Sequence, residues 1–99
     1  MAGSIYKFWM SRPTEAWYQL SEEEQNKRTA KSQEALHKVG GKTVIVCTPV
    51  WSNEQWLLCG VEEFPDSDAV QKHAELLFQL DHFRYFEGQS TLGTKWPPE

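Results

Sequence analysis

Residues Lys42–Phe64 read KTVIVCTPVWSNEQWLLCGVEEF. Thr43, Val44, Ile45 and Val46 give the first half a β-branched density that suits a pleated strand. Ser52-Asn53 supplies turn chemistry in the middle. The spacing therefore predicts one strand over Lys42–Trp51 and a second over Gln55–Phe64, with no helix between them. Two strands in direct succession rule out a simple alternation of strand and helix, so the flanking segments decide the topology.

Before the pair lies a helix. Ser21 and Glu24 form an S-x-x-E capping box that satisfies free amides at the helix start. Glu22, Glu23 and Glu24 suit the positive end of the helix dipole, and Gly40-Gly41 end the helix. Upstream, Ser4–Arg12 reads as a strand with Tyr6, Phe8 and Met10 on one face and Ile5, Lys7 and Trp9 on the other. Both faces are largely apolar, which predicts a strand covered on both sides. Pro13–Leu20 is a connector whose Trp17, Tyr18 and Leu20 pin it over the domain edge. After the pair, Pro65-Asp66-Ser67 opens a second helix capped by Asp66 or Ser67. It is expected from about Asp68 to Tyr85, with Ala69, Val70, Leu76, Leu77, Leu80 and Phe83 as its apolar stripe. Gly88 is expected to break the chain, Gln89–Trp96 to form the last strand, and Pro97-Pro98 to close the domain. The order βαββαβ is that of an α+β, ferredoxin-like sandwich: a four-stranded antiparallel sheet with two helices on one face. The whole chain, 1–99, reads as a single domain. Two helices leave the other sheet face uncovered.

Net charge is −4, from 10 Lys+Arg against 14 Asp+Glu, with no basic stretch to track a phosphate backbone, which argues against nucleic acid as a partner. No apolar run approaches the roughly 20 residues that span a bilayer. The N-terminus lacks a basic-then-apolar leader, so a soluble cytoplasmic protein is expected. Cys47 and Cys59 fall opposite one another if the hairpin tip lies near Asn53, and are expected as buried thiols in a reducing compartment. Without histidines at ligand spacing they make no zinc site. Five Trp, five Phe and three Tyr are many for this length. They serve either as core and dimer interface or as the walls of a pocket for a flat ligand.

The first helix is unusual. Glu23, Glu24, Lys27, Arg28, Lys31, Glu34 and Lys38 share one half of the wheel, while Gln25, Asn26, Thr29, Ala30, Ser32, Gln33, Leu36, His37 and Val39 share the other. The sheet-facing half is uncharged but mostly polar, where a packed helix carries Leu, Ile or Val. Unpartnered buried amides and hydroxyls cost about 1–3 kcal/mol each. Either the helix roofs a wet or ligand-filled cavity, or it sits shallowly and those groups reach solvent.

Several stretches fit a small branch of a known superfamily: Ala16-Trp17-Tyr18-Gln19-Leu20-Ser21 leading into Glu22-Glu23, the Arg84-Tyr85-Phe86 end of helix two, and Leu92-Gly93 in the last strand. The chain resembles the dimeric α/β-barrel superfamily over almost its whole length. The resemblance implies a homodimer in which two sheets pack face to face, with the uncovered face buried as an isologous contact. It also implies a ligand site between sheet and helices. That superfamily includes cofactor-free quinone-forming monooxygenases, polyketide cyclases, muconolactone-type isomerases, haem-binding members and members without known activity.

His73 falls at the centre of the apolar stripe of helix two, and His82 is expected to point to solvent. A buried imidazole stays neutral and can move a proton near physiological pH. The alternative for His73 is a core histidine bonded to a backbone carbonyl. His37, on the uncharged half of helix one, would share one cavity with His73 and complete an acid–base pair. Asn26 and Gln33 lie on the same side and would hold a carbonyl or enolate oxygen, or else be solvated at the edge. Tyr6, Phe8 and Trp56 are candidates for the aromatic wall or for the dimer interface, because the sequence leaves open which sheet face meets the helices. Arg84 either binds an anionic substrate group or complements the helix C-terminus. No glycine-rich phosphate loop or metal cluster is present in the sequence, and His73 as a haem ligand is the weaker option. The leading expectation is a cofactor-independent cyclase, isomerase or related lyase-type catalyst acting on a small aromatic or polyketide-like molecule. A cofactor-free monooxygenase and a non-catalytic dimeric ligand-binding module are the alternatives.

Overall fold

In the computed structural model, which describes residues 3–98, the β-branched run becomes β2 (Lys42–Cys47) and its partner β3 (Leu58–Phe64). The other elements are β1 (Ile5–Pro13), α1 (Glu15–Tyr18), α2 (Glu22–Lys38), α3 (Ser67–Gln79), α4 (His82–Tyr85) and β4 (Phe86–Thr94). The sheet order is β2-β3-β1-β4, with every neighbouring pair antiparallel. This is the ferredoxin-like α+β sandwich read from the sequence.

Local signals explain most boundaries. The Ser21 hydroxyl accepts from the Glu24 amide at 3.2 Å, and the Ser21 amide donates back to the Glu24 carboxylate at 3.4 Å, which closes the capping box. Gly40 ends α2 at φ +79°, a left-handed conformation that glycine adopts freely. Its amide and that of Gly41 donate to the carbonyls of His37 and Leu36. Asp66 caps α3 through the Ala69 amide at 2.8 Å. Trp17 pins the connector, with its ring centroid 4.8 Å from that of Phe86.

Four expectations are corrected. The hairpin strands are shorter than Lys42–Trp51 and Gln55–Phe64, because Thr48–Leu57 folds on itself: the amides of Ser52 and Asn53 both donate to the Pro49 carbonyl. The second helix stops at Gln79. Asp81 turns left-handed at φ 59°, and the four residues of α4 follow as a separate helix. Gly88 does not break the chain but lies within β4 opposite Ser11, where an added Cβ would stand 2.8 Å from the Met10 carbonyl oxygen. Cys47 and Cys59 oppose one another as expected, but Cys47 is exposed and Cys59 only half-buried, and both are free thiols.

Alternation along β1 puts Ile5, Lys7, Trp9 and Ser11 on the helix side and Tyr6, Phe8 and Met10 on the outer side. Phe8 shares the outer face with Ile45, Cys47, Cys59 and Val61. Among the described residues no element covers that face, and Phe8 is 52% exposed. Between the layers, Leu36, Phe64 and Ala69 form a closed core with Val39 and Val70 packed against it.

Candidate functional site

The layers part at the other end. A cavity of about 440 Å³ opens there between sheet and helices. Lys7, Trp9, Leu58, Glu62 and Ser90 make its floor. Ser32 and Gln33 of α2, with His73 and Leu77 of α3, contribute to its roof. Leu80, His82, Phe83 and Tyr85 close the side where α3 turns into α4.

His73 is 3% exposed and its ring centroid lies 5.4 Å from that of Phe64. Its Nδ1 has no hydrogen-bond partner. Burial pushes its pKa down from 6.5 to about 4, helped by the positive charge of Lys7 and by His82. The ring is therefore neutral at physiological pH. His82 is stacked on Phe86 with centroids 5.0 Å apart. Burial, and then Lys7, lowers its pKa as well. Glu62 faces Lys7 across the β1–β3 ladder. Burial raises the pKa of its carboxyl, with Lys7 opposing. Lys7 is thus the common electrostatic neighbour of two imidazoles and a carboxyl group.

Trp9 lies over Gly60, where a Cβ would stand 2.7 Å from the indole carbon Cζ2. The glycine is what lets the ring lie flat on the sheet. The indole Nε1–H is buried without an acceptor. Arg28 crosses the gap beneath α2: its Nη1 donates to the Leu80 carbonyl at 2.8 Å, and its guanidinium carbon sits 4.2 Å from the Tyr85 ring centroid. Gln25 donates to the Trp17 carbonyl at 3.0 Å. Of the uncharged half of the helix, Gln25 is bonded in this way and Ser32 and Gln33 line the cavity, while Asn26, Thr29, Gln33 and His37 are exposed.

Of the residues proposed from sequence, His73 and Gln33 line the cavity. His37 does not join them: it is exposed, because Leu36 takes the inward position and the next residue lies about 100° further round the helix. Asn26 is likewise exposed. Tyr6 and Phe8 lie on the far side of the sheet, since odd positions of β1 face the helices. Trp56 is buried, but at the Thr48–Leu57 loop, with the Arg12 guanidinium 5.5 Å from its ring. Arg84 is exposed and paired with Asp81 at 3.7 Å. His82, expected outside, is turned inward by the break at Asp81. Lys7, Trp9, Glu62 and Arg28 were not singled out. Their one available signal was the pairing of Lys7 and Trp9 on a single strand face. Among the described residues no group of three or more His, Cys, Asp or Glu gathers to hold a metal ion, and no helix is long and apolar enough to cross a membrane.

No family profile matches the chain, and no curated protein matches it in sequence. Among solved structures, chlorite dismutase from Candidatus Nitrospira defluvii, in its R173K mutant, is similar with a TM-score of 0.75 at 11% identity. The likeness covers 98% of this chain and 42% of that one, so the chain spans less than half the length of its structural neighbour. At this identity the likeness concerns the fold alone, a ferredoxin-like α+β sandwich.

Proposed function

We propose that this chain is a cofactor-independent catalyst of proton transfer on a small aromatic or polyketide-like carbonyl compound, of the cyclase, isomerase or lyase type. One observation carries the reading: two neutral imidazoles and a carboxyl group of raised pKa surround one lysine in a single cavity. In this reading His73 takes a proton from carbon next to the substrate carbonyl. The electron pair moves into the C–O bond, and the oxygen becomes an enolate facing Lys7. A base whose conjugate acid has a pKa near 4 is weak in the empty site. Burial causes most of that depression; negative charge developing beside Lys7 offsets the smaller part due to Lys7, so the base strengthens as the reaction proceeds. The His73 imidazolium then returns the proton at another position of the substrate, which restores the neutral ring, and Tyr85 and Phe83 hold the flat body of the substrate. Proton–deuterium exchange into a panel of such compounds in deuterated water, followed by NMR without oxygen, tests this. His73→Ala is expected to fold and to lose about a hundredfold or more of the exchange rate. Full exchange by that variant ends the acid–base role, and a requirement for oxygen favours a monooxygenase instead.

The same proposal includes a second copy of the chain on the outer sheet face. Phe8, Ile45 and Val61 leave there an apolar surface of the kind that two-fold partners bury. Sedimentation is expected to give twice the 11.5 kDa of one chain, and Phe8→Asp to halve it. A wild-type protein sedimenting as one chain at high micromolar concentration removes the dimer.

A further inference from the structure

The chain as a whole is acidic, at −4, yet its cavity is not. Lys7, Arg28 and Lys31 line it. Of its two acidic residues, Glu87 is held by Arg12 at 2.8 Å, which leaves Glu62 alone against three cations. The ion pairs among the described residues are Arg12–Glu87, Lys42–Glu63 and Arg84–Asp81. Lys7 is therefore half-buried with no carboxylate in ion-pair reach. Arg28 meets only a neutral carbonyl and an aromatic face. Two residues further along the same face of β1, the Trp9 Nε1–H is buried with nothing to accept it, and across the cavity the His73 Nδ1 is also unpartnered.

Buried polar groups in folded proteins are normally satisfied, and an unpaired donor costs free energy until something accepts its hydrogen. A half-buried lysine with no carboxylate at ion-pair distance, in a cavity that Arg28 and Lys31 also line, calls for an oxyanion. The remaining walls, Leu58, Leu77, Leu80 and Phe83, ask for a flat apolar body, and the volume lies within the range of small-molecule sites. We infer that the ligand of this cavity is an organic anion, an aromatic or conjugated carboxylate whose charged oxygens sit on Lys7. This inference rests on the proposed catalytic site and names the chemical class of its substrate. A cationic cavity on an acidic protein also concentrates anions at its mouth, because low-dielectric walls focus the field of the charges inside.

Calorimetric titration of the full chain with 2-naphthoate and with its uncharged isostere 2-naphthamide tests the inference without any need for turnover. The wild type is expected to bind the carboxylate about ten- to a hundredfold more tightly, the scale of a hydrogen bond to a charged group. Lys7→Met is expected to abolish that preference while leaving the amide affinity in place, and Lys7→Arg to keep most of it. Circular dichroism establishes that each variant is folded. Equal affinities, a preference for the amide, or no binding of either compound at millimolar concentration overturns the inference from the wild type alone. Retention of the preference by a folded Lys7→Met overturns the assignment of Lys7. A protein that selects the carboxylate but exchanges no substrate proton keeps this inference and loses the catalytic reading. Exchange on neutral carbonyl compounds without selection for the anion does the reverse.

Discussion

The two ends of the space between helices and sheet are built from the same elements to opposite effect. At one end Phe64, fully buried, is enclosed by Leu36 and Ala69. At the other, the same α2 and α3 carry Arg28, Ser32 and His73 over a floor of Lys7 and Glu62, and the layers enclose a hollow. The difference shows how a chain of this size divides its labour. Close-packed hydrocarbon at one end supplies the stability that unsatisfied polar groups at the other end consume.

The sharpest way to break this contrast is Phe64→Ala. It is expected to cost about 3–5 kcal/mol, the range for emptying a filled aromatic site, read as a shift in the urea midpoint. A loss below about 1 kcal/mol would mean that the closed end is not where stability resides.

Acid comes next. His73 gains its proton near 6.5 in the unfolded chain but only near 4 in the fold. Above pH 6.5 both states are neutral and nothing is lost. Between those values the unfolded chain binds the proton first, so stability falls as the solution is acidified, by about 1–3 kcal/mol in all. His82 acts in the same direction. Glu62, with a raised pKa, acts against it. Denaturant titrations from pH 7.5 to 4 give the slope. An acid limb that is flat, or that rises, removes the buried neutral imidazole.

The smallest effect has the opposite sign to the first. His73→Leu replaces an unpartnered buried ring by hydrocarbon, and is expected to gain up to about 1 kcal/mol at pH 7.5 while flattening the acid limb. A loss of that size would mean that the imidazole is in fact satisfied.

Signals that act within a few residues were legible. The capping box at Ser21, the Asp66 cap, the Gly40 terminator and the β-branched run of β2 each specify their own conformation, and their order specified the topology. The polar half of α2 left a cavity and solvent open as alternatives, and both occur: Ser32 lines the cavity while Asn26 and His37 are exposed. What could not be read depends on other elements. Both faces of β1 are apolar, so only packing settles that Lys7 and Trp9 turn toward the helices. Arg28 sits among charged neighbours on the wheel, yet its long stem carries the guanidinium inward to the Leu80 carbonyl. Nothing in Leu80-Asp81-His82 marks a helix break, since it holds neither glycine nor proline. Asp81 tolerates the left-handed turn that swings His82 into the site. Sequence reasoning put His82 outside because a wheel assumes that one helix continues.

Strand β1 is central in the sheet, and its odd and even residues have separate duties. A single residue inserted ahead of Tyr6 would exchange the two sets, moving the ammonium group to the bare side and phenyl and phenol groups into the chamber. Descendants of this chain are therefore free to lengthen the Thr48–Leu57 loop, but not to change the count of residues in that one strand.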